Sequence, residues 1–416
     1  MQKKLPRDSF IRKSLEFGPY IRFDKSPIWQ IHNDYFQSRG LLAWSKGEVP
    51  FTGISNYYEA YKKARFLIDN LKQLKLSSSE YSDDINILEV GAGYGEFAKN
   101  FLFAFKEISE QENLDFFGRL KYFVTDYSRV NIEELKKSKR LDFFQDHLVF
   151  EVLDVLDSRI SLSRKASTSE ILGGVSFDAI FANYLLDQLP ARIFAYDGNN
   201  FFEKYLSLQD YKNISQKKSW IKKLKKKFRF QEIDWQEELS LEHRDILFSC
   251  FKTNKPSTIV YSYGALRAVK NFLYLLKHSG IIICSDFNAS AKPGLDSFEP
   301  CYYGNSLAQA VNYEFIFKYF LDYSSSKNKI EHKVIGQKFG HQMVLIYEDP
   351  IKPLHTFFLT RPDFPQDLNL GDTYKNIYQQ NWFLRAFYRF IVEIKLGFYI
   401  LIVFIFAFAL WHYFWR

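Results

Sequence analysis

The stretch Ile85-Asn-Ile-Leu-Glu-Val-Gly-Ala-Gly-Tyr-Gly-Glu96 decides the fold of this chain. An apolar run of strand length comes first, a glycine-rich turn follows, and residues 97–105 carry apolar side chains at helical spacing. This order of strand, loop and helix is typical of the opening of a βαβ unit. Glycines at 91, 93 and 95 allow a sharp turn and leave the helix N-terminus open to a nucleotide-like ligand.

The spacing of the glycines distinguishes between possible ligands. A dinucleotide fingerprint would need a small residue where Glu96 stands, because a carboxylate there would meet the pyrophosphate. The Gly-Lys-Ser/Thr ending of a Walker A loop is absent as well. The remaining pattern, Glu89-Val-Gly91-Ala-Gly93-Tyr-Gly95, resembles the first motif of the S-adenosyl-L-methionine (SAM) dependent methyltransferases. Because SAM carries no phosphate, an acid beside the loop is compatible with it.

Strands and helices alternate through the middle of the chain. Apolar runs after the first strand predict strands at 121–126, 147–154, 177–183 and 281–286, helices at 56–74 and 265–278, and a hairpin over 333–347. Strands that alternate with helices form a parallel sheet that is covered on both faces. We therefore predict an α/β fold, a doubly wound, mostly parallel, seven-stranded sheet of the Rossmann-like SAM methyltransferase type with a helical insertion.

Polar residues stand at the ends of three predicted strands. In parallel sheets, ligands bind outside the carboxyl ends of the strands. There Asp126 would accept hydrogen bonds from the ribose hydroxyls and Asp154 from the adenine amino group, while Asn183 would lie where the methyl group is presented. The predicted cofactor-binding residues are therefore Glu89, Gly91, Ala92, Gly93, Gly95, Asp126, Tyr127, Asp154 and Asn183.

The stretch Asn183-Tyr-Leu-Leu-Asp-Gln-Leu-Pro190 resembles the Asn-Glu-x-x-Asp-Ala-Leu-Pro signature of the MidA-like methyltransferases. That group includes a mitochondrial complex I assembly factor that methylates a protein arginine. Residues 122–128 and 301–315 are also similar to the family, so the resemblance covers residues 85–345.

The resemblance implies that the residues at and after the end of the fourth strand are catalytic. We interpret Asn183, Tyr184 and Asp187 as the catalytic residues, and Glu203 as a further candidate acid. Tyr184 stands where the family has a glutamate, which removes one of the carboxylates that would hold a guanidinium. An arginine acceptor is therefore less favoured than a flat or uncharged one.

Composition limits the class of protein. With 47% hydrophobic and 25% charged residues, the 416-residue chain can bury a large core and is not disordered. Three scattered cysteines are too few for a disulfide framework or a zinc site, and no histidine pair has metal-ligand spacing, so we expect no metal. The net charge of +8 is compatible with nucleic acid, but we expect no such partner.

Residues 396–415 are uncharged when His412 is neutral, and they end in a cluster of tryptophan and tyrosine. About 20 helical residues span about 30 Å, the thickness of a bilayer core. This pattern predicts a single-pass C-terminal membrane anchor, with a buried terminal helix as the alternative. Three basic residues shortly precede the span and one follows it, which predicts a cytoplasmic catalytic domain.

The basic stretch 217–229 places apolar side chains on one helical face and lysines over the remainder. We predict a basic amphipathic helix, which is typical of segments that bind an anionic membrane surface or an acidic partner, and we expect it to dock the domain on the membrane. The alternative is a surface helix that packs its apolar face on the domain.

These patterns divide the chain into segments. We predict an N-terminal helical extension over 1–84, a methyltransferase domain over 85–350 with the insertion at 195–260, a linker over 351–385 and the membrane anchor over 386–416. The predicted function is transfer of a methyl group from SAM to a protein side chain or a membrane-associated small molecule. The alternative is a non-catalytic methyltransferase-fold scaffold or assembly factor at the membrane.

Overall fold

The computed structural model describes residues 17–77, 84–162, 171–209, 221, 224–251, 256–289, 292–293, 298–320, 333–338, 341–349 and 354–360. The strands are β1 Ile21–Arg22, β2 Ile85–Val90, β3 Leu120–Asp126, β4 Leu148–Val152, β5 Phe177–Asn183, β6 Arg192–Tyr196, β7 Phe201–Leu208, β8 Lys226–Ile233, β9 Ser257–Tyr261, β10 Leu276–Phe287, β11 Lys292–Pro293, β12 Cys301–Tyr303, β13 Ser306–Ala308, β14 Lys333–Lys338, β15 His341–Asp349 and β16 Leu354–Thr360.

Eleven α-helices lie in these described ranges. They are α1 Ile28–Arg39, α2 Leu42–Ser45, α3 Thr52–Ser55, α4 Tyr57–Ser77, α5 Glu96–Gln111, α6 Arg129–Lys137, α7 Arg159–Leu162, α8 Trp235–Glu238, α9 Leu241–Cys250, α10 Tyr263–Leu275 and α11 Tyr313–Phe320. Short 3₁₀ helices are Phe23–Lys25, Asp142–His147, Ile171–Gly174 and Leu186–Gln188.

The main sheet has the strand order β14-β15-β16-β10-β5-β2-β3-β4. The strands from β10 to β4 run parallel, while β14, β15 and β16 pair antiparallel. The predicted parallel strands and the hairpin of β14 and β15 are confirmed. The count of seven strands is wrong, because the described part of the sheet has eight.

The additional strand is β16, which occupies residues that we predicted as part of a linker. It pairs with β10 from Ile281↔Thr360 to Phe287↔Leu354 and separates β10 from the hairpin. Its sequence, Leu-His-Thr-Phe-Phe-Leu-Thr, is rich in aromatic and β-branched residues and is therefore suited to a strand. Such a short run becomes a strand only where neighbouring strands offer backbone partners, and the sequence alone does not show those partners.

Both faces of the parallel strands are covered, as a doubly wound sheet requires. The side chains of Ile87 and Phe181 belong to a core cluster with α4 and α5, whereas Leu88 and Ile180 belong to a second cluster with α10 and α11. Because successive residues of a strand point to opposite faces, each strand contributes to both clusters. The strand ends are thereby held rigidly at one edge of the sheet.

Where the structure describes the insertion, more of it is strand than helix and the strands form a sheet, which corrects our prediction of a helical insertion. Strands β1, β7, β6, β9 and β11 form a second, antiparallel sheet in that order, and β8 pairs with β7. The insertion contributes β6 to β9 and adds the two short helices α8 and α9. Its strands bury alternate side chains against the N-terminal segment, including Phe23 and Ile28. These partners come from a distant part of the sequence, so local helical spacing misled the prediction.

The predicted amphipathic helix over 217–229 is also wrong where the structure describes it, because residues 226–229 belong to strand β8. Ile221 is buried, and Leu224 and Phe228 pack against the same cluster as Phe23. Residues 217–220 and 222–223 lie outside the described ranges.

Within the described ranges, no helix combines the length and apolar character that crossing a membrane requires. The predicted anchor over 386–416 lies outside those ranges.

Candidate active site

The glycine loop connects β2 to α5 and has the backbone conformation that its sequence predicts. Gly91 and Gly93 have φ angles of 68° and 52°, in the left-handed region that favours glycine. A Cβ atom on Gly93 would lie 2.9 Å from Cζ2 of Trp44, and one on Gly91 would lie 3.0 Å from Cδ1 of Leu185. Side chains at these positions would therefore enter the space beside the loop.

A cavity of about 240 Å³ opens at the carboxyl ends of the parallel strands. Strand ends and the glycine loop form one side, and Trp29, Trp44 and Phe51 from the N-terminal segment contribute to the other. The predicted site residues that line it together are Glu89, Gly91, Ala92, Gly93, Asp126, Tyr127, Asp154, Asn183, Tyr184 and Asp187.

Two of the predicted residues lie elsewhere. Gly95 caps the start of α5, and a Cβ there would face Leu135 at 2.9 Å. Glu203 is buried in β7, where both of its oxygens accept 2.6 Å hydrogen bonds from Arg192. The prediction of Glu203 as a substrate-binding acid is therefore wrong, because its charge is neutralised within the insertion sheet.

Asp126 joins the end of β3 to the glycine loop. Its Oδ2 accepts hydrogen bonds from the Gly93 N–H at 3.1 Å and from Asn131 Nδ2 at 2.9 Å, while Oδ1 accepts from the Ser128 N–H at 2.9 Å. Burial raises the pKa of Asp126, and the N–H donors oppose that rise. Asp126 also lines the cavity, so its carboxylate can accept a hydrogen bond from a ligand hydroxyl there.

Glu89 is a buried acid whose charge is only partly compensated. Its side chain accepts a 3.0 Å hydrogen bond from the hydroxyl of Tyr122, and the residue is 2% exposed. Burial raises the pKa of Glu89 to about 8, although the Tyr122 hydroxyl and the positive charge of Lys63 act against the rise. A cationic ligand group beside Glu89 would favour the ionised carboxylate. The ammonium and sulfonium groups of SAM fit this requirement.

Asn183 has an orientation that sequence reasoning could not supply. Its Oδ1 accepts a 2.8 Å hydrogen bond from Nζ of Lys63, a residue that is 2% exposed and also lies over the ring of Phe97. The Nδ2 of Asn183 is buried and has no hydrogen-bond partner among the described residues. Asn183, which lines the cavity, therefore has an unused donor.

Lys63 itself was missed by the sequence analysis, although a signal was present. It stands three residues after Ala60 and four before Leu67, on the buried face of α4. A lysine in the apolar stripe of an amphipathic helix needs a polar partner, because burying a charge without one is costly. Here the amide oxygen of Asn183 is that partner.

Tyr184 adopts a left-handed backbone with φ 51°, which is rare for a residue with a side chain. Its N–H donates to the carbonyl of Ser285 at 3.0 Å, and its ring centroid lies 5.4 Å from that of Phe287. The hydroxyl approaches α3 so closely that a Cβ on Gly53 would lie 2.4 Å from it. The tyrosine thus joins the end of β5 to the N-terminal segment.

Asp187 and Asp286 form a pair of buried carboxyl groups. Asp286 stands near the end of β10 and is 0% exposed, and Asp187 is 2% exposed. Burial raises the pKa of both groups, to about 6 for Asp187, and the negative charge of Asp187 further raises the pKa of Asp286. We did not predict Asp286, although it stands at a strand end like the residues that we did predict.

His32 connects the N-terminal segment to this end of the cavity. Its Nδ1 accepts a 2.9 Å hydrogen bond from the Leu307 N–H, and its ring also bonds to the backbone of Gln188. Burial lowers the pKa of His32 to about 4, so the imidazole is neutral. It is a structural connection between α1, β13 and the turn that carries Asp187.

Comparisons with known proteins agree with this geometry. Residues 64–314, more than half of the chain, match the model of a family described as "Putative S-adenosyl-L-methionine-dependent methyltransferase". No curated protein sequence matches the chain.

Among solved structures, the chain is similar to a protein from Burkholderia thailandensis that is described as a "COG1565 superfamily member and likely methyl transferase" and is bound to S-adenosyl-homocysteine. The two chains are 12% identical, the match covers 83% of this chain and 89% of that chain, and the TM-score is 0.49. This chain is also similar to magnesium protoporphyrin IX methyltransferase from Synechocystis PCC 6803, with 10% identity, 80% and 99% coverage and a TM-score of 0.33. The assignment rests on the family match and not on these distant likenesses. The chain belongs to this family of SAM-dependent methyltransferases, and SAM is its cofactor.

Proposed function

We propose that this methyltransferase acts on an uncharged acceptor group that is held at a membrane surface. The observation that carries the proposal is the orientation of Asn183, whose oxygen is occupied by Lys63 while its Nδ2 remains an unused donor. An unused buried donor favours an acceptor molecule that offers an oxygen atom, because a buried N–H without a partner costs about 1–3 kcal/mol.

A guanidinium does not complement this arrangement. Arginine carries five N–H donors, no acceptor and a permanent charge. Against Asn183 it would place donor beside donor, and it would bring a second cation close to Lys63. Tyr184 supplies a hydroxyl and an aromatic face in place of a carboxylate. The arginine acceptor that the MidA-like resemblance implies is therefore the less favoured candidate.

Two features support the membrane part of the proposal. Residues 396–415 have the composition of a membrane span, with basic residues before it that favour a cytoplasmic catalytic domain. In addition, Lys225, Lys227 and Arg229 are all exposed at alternate positions in or beside the edge strand β8. Alternate residues of a strand share a face, so these side chains form a basic row that would contact anionic lipid.

Radiolabel from methyl-labelled SAM tests the acceptor. Membranes that contain the full-length protein are incubated with labelled SAM, and lipid is then separated from protein. We expect label in the organic phase that Asn183→Ala greatly reduces and Lys63→Met reduces less. Asn199→Ala is the matched control, because Asn199 is exposed in the turn between β6 and β7. Label that depends on Asn183 and appears only on protein arginine would refute the uncharged acceptor.

Deletion of residues 396–416 tests the anchor. We expect the truncated protein to leave the membrane fraction in high salt, where the attraction of the basic row to lipid is screened. Protease added to spheroplasts should leave the domain of the full-length protein intact. A truncated protein that is insoluble and unfolded would show instead that the segment belongs to the core.

A further inference from the structure

The carboxyl pair at the acceptor end of the cavity has a chemical use that the family assignment does not include. We propose that Asp187, supported by Asp286, is the general base for O-methylation of a flat ring that bears a phenolic or enolic hydroxyl. This inference rests on the proposed function, since it specifies the uncharged acceptor.

The pair is built into the backbone around it. Asp286 Oδ2 accepts hydrogen bonds from the N–H groups of Leu186 at 2.8 Å and Asp187 at 3.2 Å, and its Oδ1 accepts from the N–H of Phe287 at 3.1 Å. The turn that carries Asp187 is thereby held against the end of β10. Asp187 lines the cavity, and its Oδ1 accepts from Gln188 Nε2 at 2.9 Å. The carboxyl group of Asp187 also shares a hydrogen bond with that of Asp286, and its further acceptor capacity is available to a ligand.

Electrostatics gives the pair the properties of a base. Two buried carboxyl groups in contact cannot both ionise easily, so the pair keeps one proton at neutral pH. Burial raises the pKa of Asp187 less than that of Asp286, so Asp187 is the member that ionises first. Among the described residues, the phenols of Tyr184, Tyr303 and Tyr313 also interact with Asp187, and burial raises the pKa of each. These phenols stay neutral and do not compensate the carboxylate.

The surrounding side chains select the shape of the acceptor. Tyr184 and Phe287 present rings that are inclined by 32°, and Tyr303 lines the same cavity. Aromatic walls favour a flat ring, and the unused Nδ2 of Asn183 suits an oxygen on that ring. A carboxylate with a pKa of about 6 can accept a proton from a phenol or enol. An amide N–H is far less acidic, so the geometry favours a hydroxyl.

Methyl transfer to the hydroxyl is accompanied by loss of its proton. SAM supplies an electrophilic methyl group. The acceptor oxygen uses a lone pair to form the O–CH₃ bond, the S–CH₃ bond breaks and its electron pair returns to sulfur as a thioether. The O–H bond breaks and its proton passes to Asp187, which later releases it to solvent. Asn183 donates to the acceptor and orients it.

The product of the wild-type enzyme tests the inference directly. Labelled organic extract from the membrane assay is treated with mild alkali and the product is identified by mass spectrometry. We expect the label to stay in the organic phase as an aryl or enol methyl ether. Label that stays in the organic phase but is found on carbon or on an uncharged nitrogen overturns this inference and leaves the proposed function standing. Label that moves to the aqueous phase, as a methyl ester or a charged lipid headgroup would, overturns both, and so does label on protein.

Variants of the pair provide a second test. Asp187→Asn should lower the rate of methyl transfer by about 10²–10⁴-fold, the usual contribution of a general base. The rate of the wild-type enzyme should rise with pH through about 6 as Asp187 ionises, and this dependence should be absent from the variant. Asp245→Asn is the matched control, because the side chain of Asp245 is 75% exposed on α9. S-adenosylhomocysteine binding, measured by calorimetry, identifies variants that remain folded.

Infrared spectroscopy adds a measurement that does not depend on activity. In a Glu89→Gln background, which removes a buried acid with a pKa of about 8, we expect a protonated carboxyl band at neutral pH that Asp286→Asn abolishes. A spectrum without that band, or a wild-type rate that does not change with pH near 6, would overturn the inference even if Asp187→Asn fails to fold.

Discussion

Two buried clusters of acids differ in how their charge is balanced. In the antiparallel sheet, Glu203 is 0% exposed but accepts two hydrogen bonds from Arg192, which also contacts Glu238 at 2.5 Å. At the ends of the parallel strands, Asp187 and Asp286 face each other. Opposite charges hold the first cluster together, whereas the second stores unfavourable electrostatic energy. The buried acids at the site therefore lack a compensating positive charge, whereas the buried acid of the antiparallel sheet has one.

Removing the cation from the balanced cluster should have the largest effect. Arg192→Met removes both hydrogen bonds of the buried Glu203 and leaves the Arg22 guanidinium, 3.8 Å away, as a weaker compensating charge, so we expect the free energy of unfolding to fall by about 3–5 kcal/mol. Urea denaturation measures this change. Arg159→Met, which removes a guanidinium that is 78% exposed and paired with Asp157, should cost less than about 1 kcal/mol. The comparison fails if the two substitutions destabilise the protein equally.

A double variant shows whether charge or packing causes the loss of stability in Arg192→Met. Because the poorly compensated carboxylate causes the penalty, Arg192→Met combined with Glu203→Gln should recover part of the lost stability. If the double variant is less stable than Arg192→Met alone, the loss comes from packing and not from charge.

The pH dependence of stability tests the role of Glu89, a buried acid whose charge is only partly compensated. Its pKa is raised from 4.5 to about 8 in the folded protein, so the folded state holds a proton that the unfolded state releases between these values. Stability should therefore be present below the unfolded pKa and be lost as pH rises toward about 8, by at most about 1.4 kcal/mol per pH unit.

Glu89→Gln should remove this contribution, so its stability relative to wild type should rise with pH across that window. Urea denaturation at several pH values measures the difference. Glu110→Gln, at a side chain that is 66% exposed on α5, should show no such trend. Parallel pH dependences for wild type and Glu89→Gln would show that the acid is not protonated in the fold.

Ligand binding by an Asp126 variant tests whether this carboxylate of the site interacts with the ligand. Asp126→Asn should weaken S-adenosylhomocysteine binding by about 1–3 kcal/mol, because a ribose hydroxyl loses a charged acceptor. Calorimetry on the full-length protein in detergent measures the change, with Asp245→Asn as the control. Gly93→Arg should abolish binding by filling the space beside the loop. Unchanged affinity of Asp126→Asn would exclude its predicted role.

The smallest expected effect concerns the exposed charges of the antiparallel sheet. Lys227→Gln and Arg229→Gln should each weaken binding to anionic vesicles by about 1 kcal/mol, with little change on neutral vesicles. Sedimentation with vesicles of the two compositions measures the difference. Lys106→Gln, at a side chain that is 46% exposed on α5, is the control. Equal losses for all three variants would show that the basic row on β8 has no special role.

Local signals were sufficient for the parallel sheet and for most of the site. The glycine turn after β2 and the polar residues after β3 and β5 lie at one edge because parallel strands end together. Lys63 and Asp286 were missed for different reasons. Lys63 reaches Asn183 from a helix 120 residues earlier in the chain, and Asp286 becomes part of the site only through the turn that it holds.

The βαβ core, the SAM methyltransferase class and the position of the cofactor loop follow from local sequence, because those features depend on residues that are neighbours in the chain. Four other features became apparent in the folded chain: the insertion is a sheet, β16 joins the main sheet, Glu203 is neutralised and Asn183 has an unused donor. Each of these depends on a partner from a distant segment. Packing determines which distant segments pair their backbones and compensate each other's charges, and the local periodicity of the sequence does not predict this.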